Sequence, residues 1–180
     1  TGRHIYAQAA KTMKRITLEL GGKSPNIVFA DCDVEKAAAG VISGIFAATG
    51  QTCIAGSRLL VQRRIHDEFV EKLAAFTKTA RVGDPRDVRT QVGPIANKMQ
   101  FEKVLGYVDI ARQDGAELLL GGKRPDGDEC ARGFFVEPTI FTGVTNEMRI
   151  AREEVFGPIL STLIFDDADV ENAVGGAMLA

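Results

Sequence analysis

Residues 14–20 alternate Arg15, Thr17 and Glu19 against Ile16, Leu18 and Leu20, the period of two that marks a half-buried strand, and Gly21-Gly22 closes it. Glu19 falls on the polar face of this predicted strand. Residues 26–29 form a second short apolar strand, and Asp31 or Asp33 is placed to cap a helix over residues 34–49 that Gly50 ends. Residues 58–62 resume as a strand. A helix over 67–80 follows, with Phe69, Val70, Leu73 and Phe76 on one face, and Gly83-Asp84-Pro85 turns the chain. Helical spacing returns over 98–113 through Phe101, Val104, Leu105 and Val108, with Gly115 as the stop and a strand over 117–120 behind it.

Residues 121–133 are rich in glycine and charge and read as an exposed loop, which leaves Cys130 exposed. Pro138 makes the apolar run 134–141 an edge or broken strand, and 158–165 is the last clear strand. A helix over 3–14 opens the chain and another, 170–180, runs out into Gly175-Gly176. Strands alternating with amphipathic helices imply an α/β layer fold around a mostly parallel sheet. The chain opens on Thr1 rather than Met and in the middle of helical pattern, so it reads as cut from a longer polypeptide at the front, and its glycine-rich end reads as cut at the back.

Composition narrows the chemistry. A chain of 180 residues with 45% hydrophobic and 26% charged residues is a globular domain with a full core. A net charge of −2, scattered basic residues and no Trp leave no footprint for nucleic acid. No apolar run is long enough for a membrane span and no signal-peptide layout opens the chain, so a cytoplasmic protein is expected. Cys32, Cys53 and Cys130 are odd in number and widely spaced, with only His4 and His66 beside them, so neither a disulfide framework nor a metal site is expected. Cys32, at a helix start, reads as a packing position.

Cys53 differs from the other two. It lies in Gly50-Gln51-Thr52-Cys53-Ile54-Ala55-Gly56-Ser57, where small residues leave room for a substrate to reach a thiol. A buried, inert cysteine is the alternative for this window alone. Because Cys53 follows a predicted helix C-terminus, whose dipole disfavours a thiolate, its activation must come from another group. Two phosphate-binding patterns fail. Gly22-Lys23-Ser24 lacks the earlier glycine of a P-loop, Thr17 standing there, and no Gly-x-Gly-x-x-Gly occurs.

Three segments, Leu18-Glu19-Leu20-Gly21-Gly22-Lys23-Ser24-Pro25, Gly50-Gln51-Thr52-Cys53 and Glu153-Glu154-Val155-Phe156-Gly157-Pro158, together resemble the aldehyde dehydrogenase superfamily in order and separation. Gly93-Pro94 and Gly133-Phe134-Phe135-Val136-Glu137-Pro138-Thr139 extend the resemblance to about Phe165. It implies a three-layer α/β catalytic domain over residues 21–180, incomplete at its C-terminus, with residues 1–20 the C-terminal end of a cofactor-binding domain. Thr1-Gly2 resemble the end of that domain's glycine-rich turn.

The resemblance implies oxidation of a small-molecule aldehyde to a carboxylic acid with NAD or NADP. Cys53 would be the nucleophile, passing through a hemithioacetal and a thioester, and Glu19 the base, a role suited to a carboxylate held among apolar neighbours. Glu154 would accept hydrogen bonds from the nicotinamide ribose, Phe156 would pack near the nicotinamide, and the main chain at Leu20 would lie beside its amide. Gln100 and Lys103 occupy a segment that comes near the cofactor. The parent enzyme is expected to be a homo-oligomer. The family's oxyanion-holding Asn, its cofactor Lys and its final subunit-contact strand have no counterpart in these residues. A competing expectation follows: a redox-inactive folded domain with at most weak thiol-dependent esterase activity.

Overall fold

The computed structural model describes residues 1–170. Five strands, β1 (Pro25–Val28), β2 (Arg58–Gln62), β3 (Glu117–Leu120), β4 (Thr139–Thr142) and β5 (Ile159–Phe165), form one sheet in the order β1-β2-β5-β4-β3. Every pair is parallel except β3 with β4. Six helices accompany them: α1 (Gly2–Ala10), α2 (Val34–Phe46), α3 (His66–Lys78), α4 (Lys98–Gln113), α5 (Asp128–Ala131) and α6 (Arg149–Arg152).

The period of two in the strands builds three layers. Leu59 and Val61 of β2, Ile140 of β4 and Leu160 of β5 face one side, where they meet Ala38, Val41 and Ile45 of α2 and Phe69 and Leu73 of α3. Leu60, Phe141, Ile159 and Leu163 face the other, against Val104, Val108 and Ala111 of α4 and Ile150 of α6. Burying each large side chain contributes roughly 1.5–3 kcal/mol, so both faces of the central strands β2 and β5 hold the sheet between the helical layers. This is the three-layer, mostly parallel α/β arrangement expected from the sequence. No helix among the described residues is long and apolar enough to cross a membrane.

Helix starts follow their caps. Asp33, rather than Asp31, accepts the Lys36 N–H at 3.2 Å to open α2, and Asn97 accepts the Gln100 N–H at 2.9 Å to open α4. Several expectations need correction, and helix α2 ends at Phe46 rather than at residue 49 because Ala48 and Thr49 turn left-handed. Residues 14–20 are not a strand: no described strand pairs with them, and Leu18 and Leu20 lie instead against Gly2 in α1, so their alternation serves a helix contact and not a ladder. Helix α1 accordingly ends at Ala10, short of Lys14. The run 134–141 is broken at Pro138 as one alternative expected, and the part that pairs, β4, lies inside the sheet and not at its edge, because Pro138 precedes its first paired residue and removes no ladder donor. Cys130 is buried at 4% exposure within α5, since the charged loop folds back: Asp84 donates its N–H to Glu129 at 3.3 Å and Arg124 reaches the Cys130 carbonyl at 2.9 Å. The helix expected over 170–180 lies, apart from Val170, outside the described residues.

Candidate active site

Beyond α2 the chain enters an unusual turn. Ala48, Thr49 and Gly50 have φ of 48°, 60° and 67°, and the two non-glycine residues carry about 1–3 kcal/mol of strain each. Tertiary bonds hold them. The buried Thr49 donates its hydroxyl to Gly93 O at 3.3 Å, and Gln51 receives the Ala96 N–H at 2.9 Å. Any side chain at Gly50 would overlap the Gly157 carbonyl, so this residue is where the cysteine loop touches the segment after α6.

Cys53 stands at the tip of the next turn, closed by Ala55 N–H to Thr52 O at 3.1 Å, and is solvent exposed with free sulfur. The turn thus separates the thiol from the end of α2. On its far side the loop is fixed again: Asn26 donates to Gly56 O at 2.9 Å, and Gly56 N–H reaches Gly44 O at 3.0 Å. The result is an accessible thiol on a loop anchored at both ends, the setting a nucleophile requires.

Gly21-Gly22 brings two distant segments to that loop. Space for a Cβ at Gly22 ends 3.7 Å from the Cys53 carbonyl, and the Gly22 N–H donates to Glu154 Oε1 at 3.3 Å. A Cβ at Gly21 would fall inside the Glu154 carboxylate, so glycine there leaves the carboxylate its present place. Phe156, half-buried, has φ of 57°, a conformation rarely held by an aromatic residue. Cys53, Gly22 and Glu154, widely separated in sequence, therefore meet in one place.

Glu19 and Leu20 lead into this junction on irregular backbone. Leu20 is 57% exposed, and Glu19 is exposed and makes no hydrogen bond or ion pair among the described residues, so the apolar enclosure expected for it is not supplied by them. Gln100 and Lys103 do join the site, but through main chain. Gln100 Nε2 donates to the carbonyls of Val155 and Phe156, at 2.8 Å each, and Lys103 Nζ donates to Glu154 O at 3.0 Å.

Lys23 is the participant that sequence reasoning missed. It is 4% exposed and its Nζ finds no hydrogen-bond partner among the described residues. Burial, aided by the Arg58 charge and opposed by Glu154, pulls its pKa down to about 8. Nothing about a lysine after two glycines signals burial. Glu153, adjacent to Glu154, belongs to a different network: bonds from Arg149 and then from Tyr107 hold its carboxyl down at about 2. Burial pushes the Cys32 and Cys130 thiols up, away from thiolate chemistry. Among the described residues no group of three or more His, Cys, Asp or Glu could hold a metal ion.

Known proteins resemble this chain along most of its length. A betaine aldehyde dehydrogenase from Mesorhizobium japonicum is 54% identical over 169 residues, 94% of this chain, and one from Brucella anthropi is 48% identical over the same span. The chain covers 35% of each relative, about a third of their length. Among solved structures, a betaine aldehyde dehydrogenase from Staphylococcus aureus in complex with NAD+ superposes with a TM-score of 0.93 at 41% identity, over 98% of this chain and 34% of that one. An NAD-dependent aldehyde dehydrogenase from Sinorhizobium meliloti superposes at 0.90 with 46% identity, again over 98% of this chain and 34% of its own. The model of the aldehyde dehydrogenase family matches residues 1–177, and this chain belongs to that family.

Proposed function

We propose that the protein carrying this chain oxidises a small aldehyde to its carboxylic acid with NAD or NADP, using Cys53 as nucleophile and Glu19 as base. The meeting of the exposed Cys53 turn with Gly22 and the Glu154 carboxylate is the observation that carries this reading. The Cys53 thiol gives its proton to Glu19 and its sulfur bonds to the aldehyde carbon, forming a hemithioacetal. Bound NAD(P) supplies the hydride acceptor. Cys53 then holds a thioester, and Glu19, once it has released the thiol proton to solvent, takes a proton from the water that attacks it and returns that proton to the departing Cys53 sulfur. Acid leaves and the thiol is restored.

The residues present suit the cofactor. Glu154 is half-buried and receives one main-chain N–H, that of Gly22, which is consistent with a carboxylate that also receives ribose hydroxyls. Phe156 would pack beside the nicotinamide and the exposed main chain at Leu20 would meet its amide. We assign residues 1–20 to the end of the cofactor-binding domain and 21–180 to the catalytic domain, a division supported by α1 and its exposed connection lying outside the paired sheet. A homo-oligomer in the cytoplasm completes the proposal, and the free thiols of Cys32, Cys53 and Cys130 suit a reducing compartment.

The test is to mix the protein at its natural full length with an aldehyde and NAD or NADP and follow absorbance of the reduced cofactor. Relatives named for betaine aldehyde make that aldehyde the first to try. Cofactor reduction that needs Cys53 supports the reading; no reduction with any of a broad set of aldehydes rejects it.

A further inference from the structure

Helix α4 runs alongside the segment that carries Glu154 and Phe156. Its first turn is fixed by the Asn97 cap on the Gln100 N–H, so the Gln100 side chain leaves from a defined place. From there its amide donates to Val155 O and Phe156 O, at 2.8 Å each, which uses both hydrogens of the NH2 group. One turn on, Lys103 takes the Glu154 carbonyl, and Val104 packs so closely on Gly157 that a side chain there would overlap it. Four consecutive residues thus lie along one face of α4.

Phe156 explains why so much contact is needed. Its φ of 57° lies in the left-handed region, where a bulky residue stays only if its surroundings hold it. Lys103 donates to the carbonyl of residue 154, and Val104 packs against Gly157 without a hydrogen bond. Gln100 donates to both carbonyls that flank the Phe156 Cα, that of Val155 and that of Phe156 itself. We propose that Gln100 is a positioning residue whose side-chain amide locks the backbone of Val155 and Phe156, so that Phe156 keeps its left-handed conformation and the adjoining Glu154 carboxylate stays against Gly22. Its effect on catalysis rests on the proposed cofactor roles of Glu154 and Phe156; its effect on the backbone does not.

Gln100→Met tests it in the full-length protein, because methionine keeps length and bulk and removes both donors. The expected crystal structure of the cofactor-free variant has Phe156 out of the positive-φ region. The KM for NAD is expected to rise about tenfold, the loss of one to two hydrogen bonds, while the KM for aldehyde, Cys53-dependent ester hydrolysis and the unfolding midpoint hold. A retained left-handed Phe156 overturns the proposal. So does a parallel rise in both KM values with a lowered midpoint, the sign of a merely structural role. If the unmodified protein reduces no cofactor, the proposed function fails separately, and the Phe156 conformation alone decides the role of Gln100.

Discussion

Gly21→Ala separates the proposed cofactor site from the fold. The added methyl would occupy the space of the Glu154 carboxylate, whose atoms are the three nearest to it, so the side chain must swing away and give up the Gly22 N–H bond of 3.3 Å. Gly21 does not have a left-handed backbone, so the penalty is steric and falls on the far end of a flexible side chain. Global stability should therefore change by under about 1 kcal/mol. A hydrogen bond to a charged group contributes about 1.5–3 kcal/mol, so misplacing Glu154 should raise the KM for NAD by about 10- to 100-fold. Steady-state kinetics with NAD varied, beside a thermal melt and an ester-hydrolysis assay, read the three quantities apart. An unchanged KM for NAD with Glu154 displaced in the crystal would refute the role given to that carboxylate.

Cys53→Ala should abolish both dehydrogenase and esterase activity and leave the melting midpoint unmoved, because the side chain is exposed; activity that persists would place the nucleophile elsewhere. Phe141→Ala removes a fully buried ring between β4 and α4 and should lower stability by about 3–5 kcal/mol in denaturant titration. Lys23 gives a pH signature. Its pKa falls from 10.5 in the unfolded chain to about 8 in the fold, so the unfolded state binds more protons between those values and stability should climb as pH rises from about 8 to 10.5. Below pH 8 the buried charge costs about 3 kcal/mol, so Lys23→Met should raise the melting midpoint at pH 7, with the advantage fading by pH 10. A constant advantage across that range would show that burial, not charge, explains it.

Elements whose pattern is local were legible in the sequence. Helix α4 and strand β3 have the predicted bounds because the apolar spacing and the Gly115 stop lie in or directly beside the elements they set. Residues 14–20 carried a strand's alternation, yet a strand exists only with a partner, and no window of sequence contains the partner. Cys130 failed for a similar reason, since its burial depends on Glu129 reaching Asp84 across the fold. In the site, Cys53, Glu19, Leu20, Glu154 and Phe156 were named through motifs. The burial of Lys23 and the grip of Gln100 were not legible, because surface lysines and glutamines are ordinary and only the folded chain buries the one and sets the other against the Val155 and Phe156 carbonyls.

The central claim is that Cys53 carries the substrate carbon, and acid-quench trapping tests it most directly. The full-length protein, mixed with aldehyde and NAD and quenched during turnover, is digested and its cysteine peptides weighed. An acyl mass on the peptide containing Cys53, dependent on the cofactor and absent from those of Cys32 and Cys130, is the predicted result. Continued cofactor reduction with no acyl group on Cys53, or an acyl group on another cysteine, would contradict the account.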